Sequence, residues 1–234
     1  MSAIIKRELQ SYFGSAIGYI VLAVFYFFSG VFFNFYCIYY NSSSLAAVFS
    51  NMLMIILFLM PLITMKSFAE EKRQKTDQAL LTAPISLFEM VMGKFLGAFI
   101  LYAICNAIFI VYALIIAIFA SPDWAVIFCT LIGMLLMGAA LLSIYIFISA
   151  MTESQVIAAV LSIGAGLLIY LLDSLASLAN VEFITNIINA ISFNRNLSNF
   201  TYGILSLSNV VYFAGVAAIF LFLTVRVFER RRWS

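Results

Sequence analysis

Chemistry in this chain can start only from a few charged groups, and most of them sit together. Six acidic or basic residues fall between Glu70 and Asp77, and the apolar run Ala79-Leu80-Leu81 follows them directly. There is no histidine, which removes the usual general base near neutral pH and the commonest metal ligand. Cys37, Cys105 and Cys129 lie in or beside apolar stretches, far apart, so they suggest packing residues rather than a CxxC metal site or a disulfide framework. No GxxxxGK[ST] occurs, nor any other glycine-rich loop that could cradle phosphates, so this polypeptide is not expected to bind or hydrolyse ATP. An intramembrane protease would need a Ser-His pair, zinc ligands or two buried aspartates, whereas Asp123 and Asp173 fall at the external ends of apolar stretches.

The elements that must carry these charges belong to lipid. With 65% hydrophobic and 9% charged residues in 234, there is too little polar surface for a water-exposed globule. A net charge of +2 gives a nucleic-acid partner no electrostatic support. A helix needs about 20 apolar residues to cross the hydrocarbon. Charge-free stretches over approximately 16–40, 46–65, 95–120, 125–150, 155–172 and 205–225 qualify or nearly so. The expected fold is an all-α polytopic membrane protein with six transmembrane helices in one domain over 1–234. In that arrangement Lys6, Arg7, Lys66, Lys72, Arg73, Lys75, Lys94, Arg226, Arg230, Arg231 and Arg232 fall inside and only Arg195 outside. By the positive-inside rule this puts both termini in the cytoplasm of a multi-pass protein of the cell membrane. The basic N-terminal flank precedes an apolar run with no small-residue cleavage site, which reads as a retained anchor.

Three segments outside the spans have a character of their own. Residues 1–15 carry Ile5, Leu9, Tyr12 and Phe13 at helical spacing opposite Lys6, Arg7 and Gln10, with Glu8 among them, the pattern of an interfacial helix; a plain topogenic flank is the other reading. Residues 66–94 form a long charged cytoplasmic loop. Pro84 should stop a helix at or before Ala83, and Ser86 can cap a second that runs through Gly93 and Lys94 into the third span. The result would be a short elbow, unless the charges merely fix topology. Residues 173–203 are external but too apolar for a solvated loop, with Ile184, Ile187, Ile188 and Ile191 at helical spacing. A re-entrant helical hairpin before the sixth span fits them, its polar turn marked by Asn194, Asn196 and Asn199.

The stretch FAEEKRQKTDQALLTAPISLFEMVMGKFL resembles the signature region of ABC-2 type exporter permeases. The opening KRELQSYFGSAIGYIVLAVFYFFSG and the late FTYGILSLSNVVYF resemble the branch associated with gliding-motility transporters. The resemblance assigns ATPase coupling to Phe68, Glu70, Glu71, Lys72, Arg73, Thr76, Leu80, Leu81 and Pro84, with Gly93 and Lys94 as the family's Gly-Lys. Lys75 stands where the family usually has glycine, and Gln78 where it often has glutamate. It also implies an interfacial helix carrying Lys6, Arg7 and Glu8, a coupling helix in the first cytoplasmic loop, and an external hairpin containing Asn194, Arg195, Asn196, Asn199 and Gly203.

The function so implied is the permease subunit of an ABC exporter, itself without catalytic residues, metal or cofactor. ATP and Mg would be bound by a separate cytoplasmic ATPase subunit. A second permease, identical or a paralogue, would complete the pathway, with membrane lipid around it. A secondary transporter is disfavoured because the spans hold no ionisable residue. The competing reading is a scaffold that passes ATPase motion to an extracytoplasmic accessory protein and moves no solute.

Overall fold

In the computed structural model the described residues are 1–74, 86–178 and 192–232, and among them the chain is all-helical. Helix α1 spans Ser2–Gly14. Helix α2 spans Ala16–Phe33 and continues as a π-helical turn over Asn34–Tyr39. Next come α3 (Ala46–Thr64), the short α4 (Ala69–Arg73), α5 (Leu87–Asn106) and α6 (Ile108–Phe119). The chain then forms α7 (Trp124–Met151), α8 (Gln155–Leu178), α9 (Phe193–Thr201) and α10 (Leu207–Arg232). Helices are what such a composition dictates, since in hydrocarbon each backbone N–H and C=O must find its partner within the segment.

Among the described residues, five stretches are long and apolar enough to cross a membrane: Ala16–Tyr39, Ala46–Arg73, Leu87–Phe119, Trp124–Met151 and Leu207–Arg230. Gln155–Leu171 is a shorter apolar helix. This is the build of a multi-pass membrane protein. The third stretch starts eight residues earlier than the apolar run 95–120, because the Ser86 hydroxyl accepts the Glu89 N–H at 3.1 Å and caps α5 there. It is also interrupted. Around Ala107 the Asn106 amide donates to Tyr102 O (2.9 Å) and the Tyr26 hydroxyl to Ile104 O (3.0 Å), so side chains take over carbonyls beside the break.

Helix α7 is the hub of the bundle, packing on α3, α5, α8, α9 and α10. Its sequence explains this, since Gly133, Gly138, Ala140 and Ser143 let neighbours approach closely. At Gly138 the Tyr102 ring occupies the space a Cβ would need, while the Tyr102 hydroxyl donates to Met134 O at 2.9 Å. At Gly133 the Phe200 side chain does the same, leaving 2.6 Å to a hypothetical Cβ.

A second small-residue contact holds α1. The pair Gly93 and Gly97, four residues apart on α5, receives Ile4 and Glu8 of α1, and a Cβ at either glycine would stand 2.7 Å from those side chains. Helix α1 therefore packs on α5 through Ile4 and Glu8. Ile5, Leu9 and Phe13 stay partly exposed along a groove they share with Lys6 and Gln10, and only Tyr12 of the expected stripe is buried.

Gly97→Ala should force α1 away from α5 and destabilise the protein by about 1–3 kcal/mol, the usual range for overpacking. Gly164→Ala, with nothing within 4 Å of its would-be Cβ, should be neutral or slightly stabilising. Thermal unfolding of both variants in detergent checks the contrast.

Candidate functional site

The charged residues singled out by the sequence converge on one end of the bundle, at Lys94. Its side chain is 2% exposed. Its Nζ lies 2.9 Å from Glu8 Oε1 and 2.9 Å from Glu71 Oε1, donates to Ser67 O at 2.6 Å, and stands 4.9 Å from the centre of the Phe68 ring. Arg7, on the exposed side, pairs with the same Glu71 oxygen. Two cations and two carboxylates thus neutralise one another where three segments meet: α1, the corner between α3 and α4, and the first turns of α5. An ammonium group taken out of water is tolerable only with such complete pairing, since an uncompensated buried charge costs several kcal/mol.

Helix α4 has five residues and no side-chain cap of its own, so its first N–H groups need outside acceptors. Ser149, near the end of α7, supplies one: its Oγ accepts from both Phe68 N and Ala69 N at 3.2 Å. Lys72 donates to Ala150 O on the same helix end. The Phe68 ring packs on Phe228 of α10 with centroids 4.6 Å apart, and Lys72 Nζ lies over that Phe228 ring at 5.6 Å. Tyr12 closes the arrangement from α1, its hydroxyl donating to Ile63 O at 3.2 Å. Burial first, and the Glu8 carboxylate second, push the Tyr12 hydroxyl well above the ordinary tyrosine range, so it remains a protonated donor.

Of the residues assigned to ATPase coupling, Phe68 and Lys72 are buried and anchor α4 to its neighbours. Glu71 belongs to the ion-pair cluster. Glu70 is half-buried and bonded by Gln74 Nε2 at 3.1 Å, whereas Arg73 and Gln74 are exposed. Thr76, Leu80, Leu81 and Pro84 lie outside the described residues, as do Ile184, Ile187, Ile188 and Ile191. Lys6 is exposed and takes no part in the cluster. Sequence reasoning missed Ser149, Phe228, Ser67 and Gly97. Only Gly97 had a local signal, its spacing of four from Gly93.

At the opposite end, Asn194, Asn196 and Asn199 do not mark a turn; they sit on α9. Ser192 caps that helix, accepting the Arg195 N–H at 3.0 Å, and Phe193, Leu197 and Phe200 form its buried stripe. The turn comes later, at Gly203, whose φ of +78° is open to glycine. There Ile204 N bonds Asn199 O (2.9 Å) and Gly203 N bonds Phe200 O (3.0 Å), the paired closure of a Schellman motif. Thr130 Oγ1 of α7 donates to Phe200 O at 3.1 Å, and Cys129 Sγ to Gly203 O at 3.4 Å. Asn194 and Arg195 remain exposed.

Lys94→Met leaves Glu8 buried without a cation and should cost about 3–5 kcal/mol. The double variant Glu8→Gln/Lys94→Met leaves only Glu71, still paired with Arg7, and should be less destabilised than the two single losses summed. Unfolding by SDS titration in mixed micelles measures the cycle, and strict additivity would mean the pair is not coupled.

The family model for the ABC-2 type transporter matches residues 1–175, which include the whole ion-pair cluster and its anchor on α7. No curated protein matches the chain. The match covers three quarters of the sequence, and the chain belongs to the ABC-2 type transporter family.

Proposed function

We propose that this chain is the membrane-spanning permease subunit of an ABC exporter, moving its substrate with ATP hydrolysed by a separate cytoplasmic subunit that binds Mg and nucleotide. The observation that carries the proposal is the pinning of α4: ion pairs tie it to α1 and α5, Ser149 and Ala150 to α7, and Phe228 to α10. A force applied to the loop after α4 therefore reaches four long helices at once. Because packed helices move as rigid bodies between discrete arrangements, such a corner can turn a nucleotide-driven displacement into a tilt of the spans. Docking would use Arg73 and Gln74, which are exposed, together with Thr76, Leu80, Leu81 and Pro84 further along the sequence.

Six crossings, rather than five, fit the connectivity. Helix α7 runs from Trp124 to the junction, and α10 also ends at the junction, at Phe228, after passing Phe193 at Phe213 and beginning further toward the other side, at Leu207. The chain between them has to cross once, and α8 is the described helix available. It climbs antiparallel to α7, with Gly166 against Tyr145 and Ile169 beside Leu141 and Met137. Its 24 residues reach about 36 Å at 1.5 Å per residue.

The same neighbours support the external re-entrant hairpin. Gly203 lies against Val126, Phe200 against Gly133, and Phe193 with Asn194 beside Met137 and Leu141. Descending α7 by those contacts puts the start of α9 about 20 Å below Trp124. Orientation follows from Lys6, Arg7, Lys66, Lys72, Arg73, Lys94, Arg226 and Arg230, which gather at the junction end and make it cytoplasmic. A second permease, identical or a paralogue, would complete the pathway. The gliding-motility branch rests on the opening and late stretches alone, the latter beyond the matched residues.

Co-expressed with the ATPase of an adjacent reading frame, the chain should co-purify with it, and Arg73→Glu should weaken capture about tenfold, the effect of losing about 1.4 kcal/mol. Equal capture by wild type and variant would remove the docking surface from α4. With Cys37, Cys105 and Cys129 replaced, a cysteine at Tyr202, 76% exposed, should react with an impermeant thiol reagent from outside, and one at Arg73 only from inside. The reverse pattern would overturn the orientation. ATPase turnover that depends on an extracytoplasmic protein, with no solute moved into sealed vesicles, would favour the scaffold.

A further inference from the structure

Beside the ion-pair cluster, between α1 and the corner joining α3 to α4, lies a cleft of about 480 Å³. Its lining changes character along its length. Ile17, Leu62 and Ile63 close the end toward the spans, Ser11, Ser15 and Ser67 lie along it, and Arg7, Lys66 and Glu70 stand at the polar end. Such grading from aliphatic to ionic, at the level where α1 turns into α2, matches the gradient of a lipid entering the headgroup layer.

One side chain in the cleft lacks what its burial demands. Ser67 is 3% exposed, and its buried hydroxyl has no hydrogen-bond partner. A buried hydroxyl left unpaired costs about 1–3 kcal/mol, so an occupant that bonds it is favoured. The charges say what kind of occupant. Arg7, Lys66 and Lys94 balance Glu8, Glu70 and Glu71 in the lining, so the cleft is neutral overall yet presents both signs. A wholly anionic headgroup would leave the Glu70 carboxylate with only the neutral Gln74 amide to answer it. A trimethylammonium group could not donate hydrogen bonds to it.

We infer that the cleft binds the headgroup of an aminophospholipid of the phosphoethanolamine type. Its phosphate lies between Lys66 and Arg7, its primary ammonium donates to Glu70, and its ester oxygens meet Ser67. The cytoplasmic leaflet as its source rests on the orientation proposed above. The binding chemistry does not. Because the cleft is walled by α1 on one side and by the α3–α4 corner on the other, an occupant there braces the two walls. It stabilises the junction by mass action.

The test uses the purified full chain in detergent, without any ATPase, titrated with short-chain phosphatidylethanolamine, phosphatidylcholine or phosphatidylglycerol while thermal unfolding is followed. Phosphatidylethanolamine should raise the melting temperature saturably by several degrees, and the other two should not. Lys66→Gln and Glu70→Gln should each weaken the apparent affinity about tenfold, and Ser67→Ala less. Equal shifts with all three lipids, or an unchanged response in both charge variants, would overturn the site. Lys66 and Glu70 lie at the rim, so the lipid-free melting temperatures of their variants should stay near wild type; if either fails to fold, native mass spectrometry of lipid retained by the wild-type chain gives the same ranking or refutes it. Since no ATPase is present, a negative result leaves the coupling proposal standing, and loss of ATPase capture with retained lipid selectivity does the converse.

Discussion

The position of one ammonium group governs the junction from which the rest of this molecule is organised. Lys94 is on a span helix, yet its Nζ has been carried into a site closed off by Glu8, Glu71 and the Ser67 carbonyl. In a medium of low polarity the attraction among these groups is strong, but so is the cost of taking each from water, and only complete pairing makes the balance tolerable. That condition constrains geometry more than it adds stability. Glu8 can reach Lys94 only if α1 lies against Gly97, and Glu71 can reach it only if α4 sits beside the first turns of α5. The two glycines of α5 and the ion pairs are thus one device, in which absence of side chain at one position allows presence of charge at the next.

From this corner the structure extends upward through α7. Its lower end holds α4 through Ser149 and Ala150, and its upper half holds α9 through Thr130 and Gly133. Helix α10 joins the same two short helices, with Phe228 against Phe68 and Lys72 and with Phe213 against Phe193. The α7 contacts to α4 and to α9 therefore lie on one continuous helix, with no charged residue between them. The coupling warrant is mechanical continuity, and it concerns two contacts on one rod rather than a pathway traced through intermediate residues.

Local rules read correctly wherever one segment decides its own structure. The Ser86 cap, the helical spacing of residues 2–14 and the apolar lengths of the spans depend on neighbours a few positions away, and each is legible in the sequence. The inward face of α1 was not, because Glu8 is buried only through Lys94, 86 positions on. Judged by α1 alone, a glutamate flanked by lysine and arginine belongs to the polar side. The contacts of Phe68 and Lys72 were hidden for the same reason: a pattern of charges shows that a segment recognises something, but not that the chain's own α7 and α10 are among what it touches. The three asparagines near 194–199 reversed the error. Their composition suggests a turn, yet Phe193, Leu197 and Phe200 at helical spacing, with a serine cap before them and a left-handed glycine after, outweigh it. The break at Ala107 left no mark at all, since no proline or glycine is there and only Asn106 and the distant Tyr26 support it.

These failures share a physical cause that bears on function. In lipid, apolar surface gives little net drive for one helix to choose another, because lipid tails compete on equal terms. Choice has to come from close packing at small residues and from polar groups at the ends. Here both are concentrated at the junction and along α7, while the remaining faces of α2, α8 and α10 carry large exposed apolar residues such as Phe27, Val156 and Phe222. Such faces can slide against lipid or a second subunit at little cost. The bundle is consequently tied tightly at the junction and along α7 and loosely along these outer faces, and both properties follow from where Lys94 and the glycines fall in the sequence.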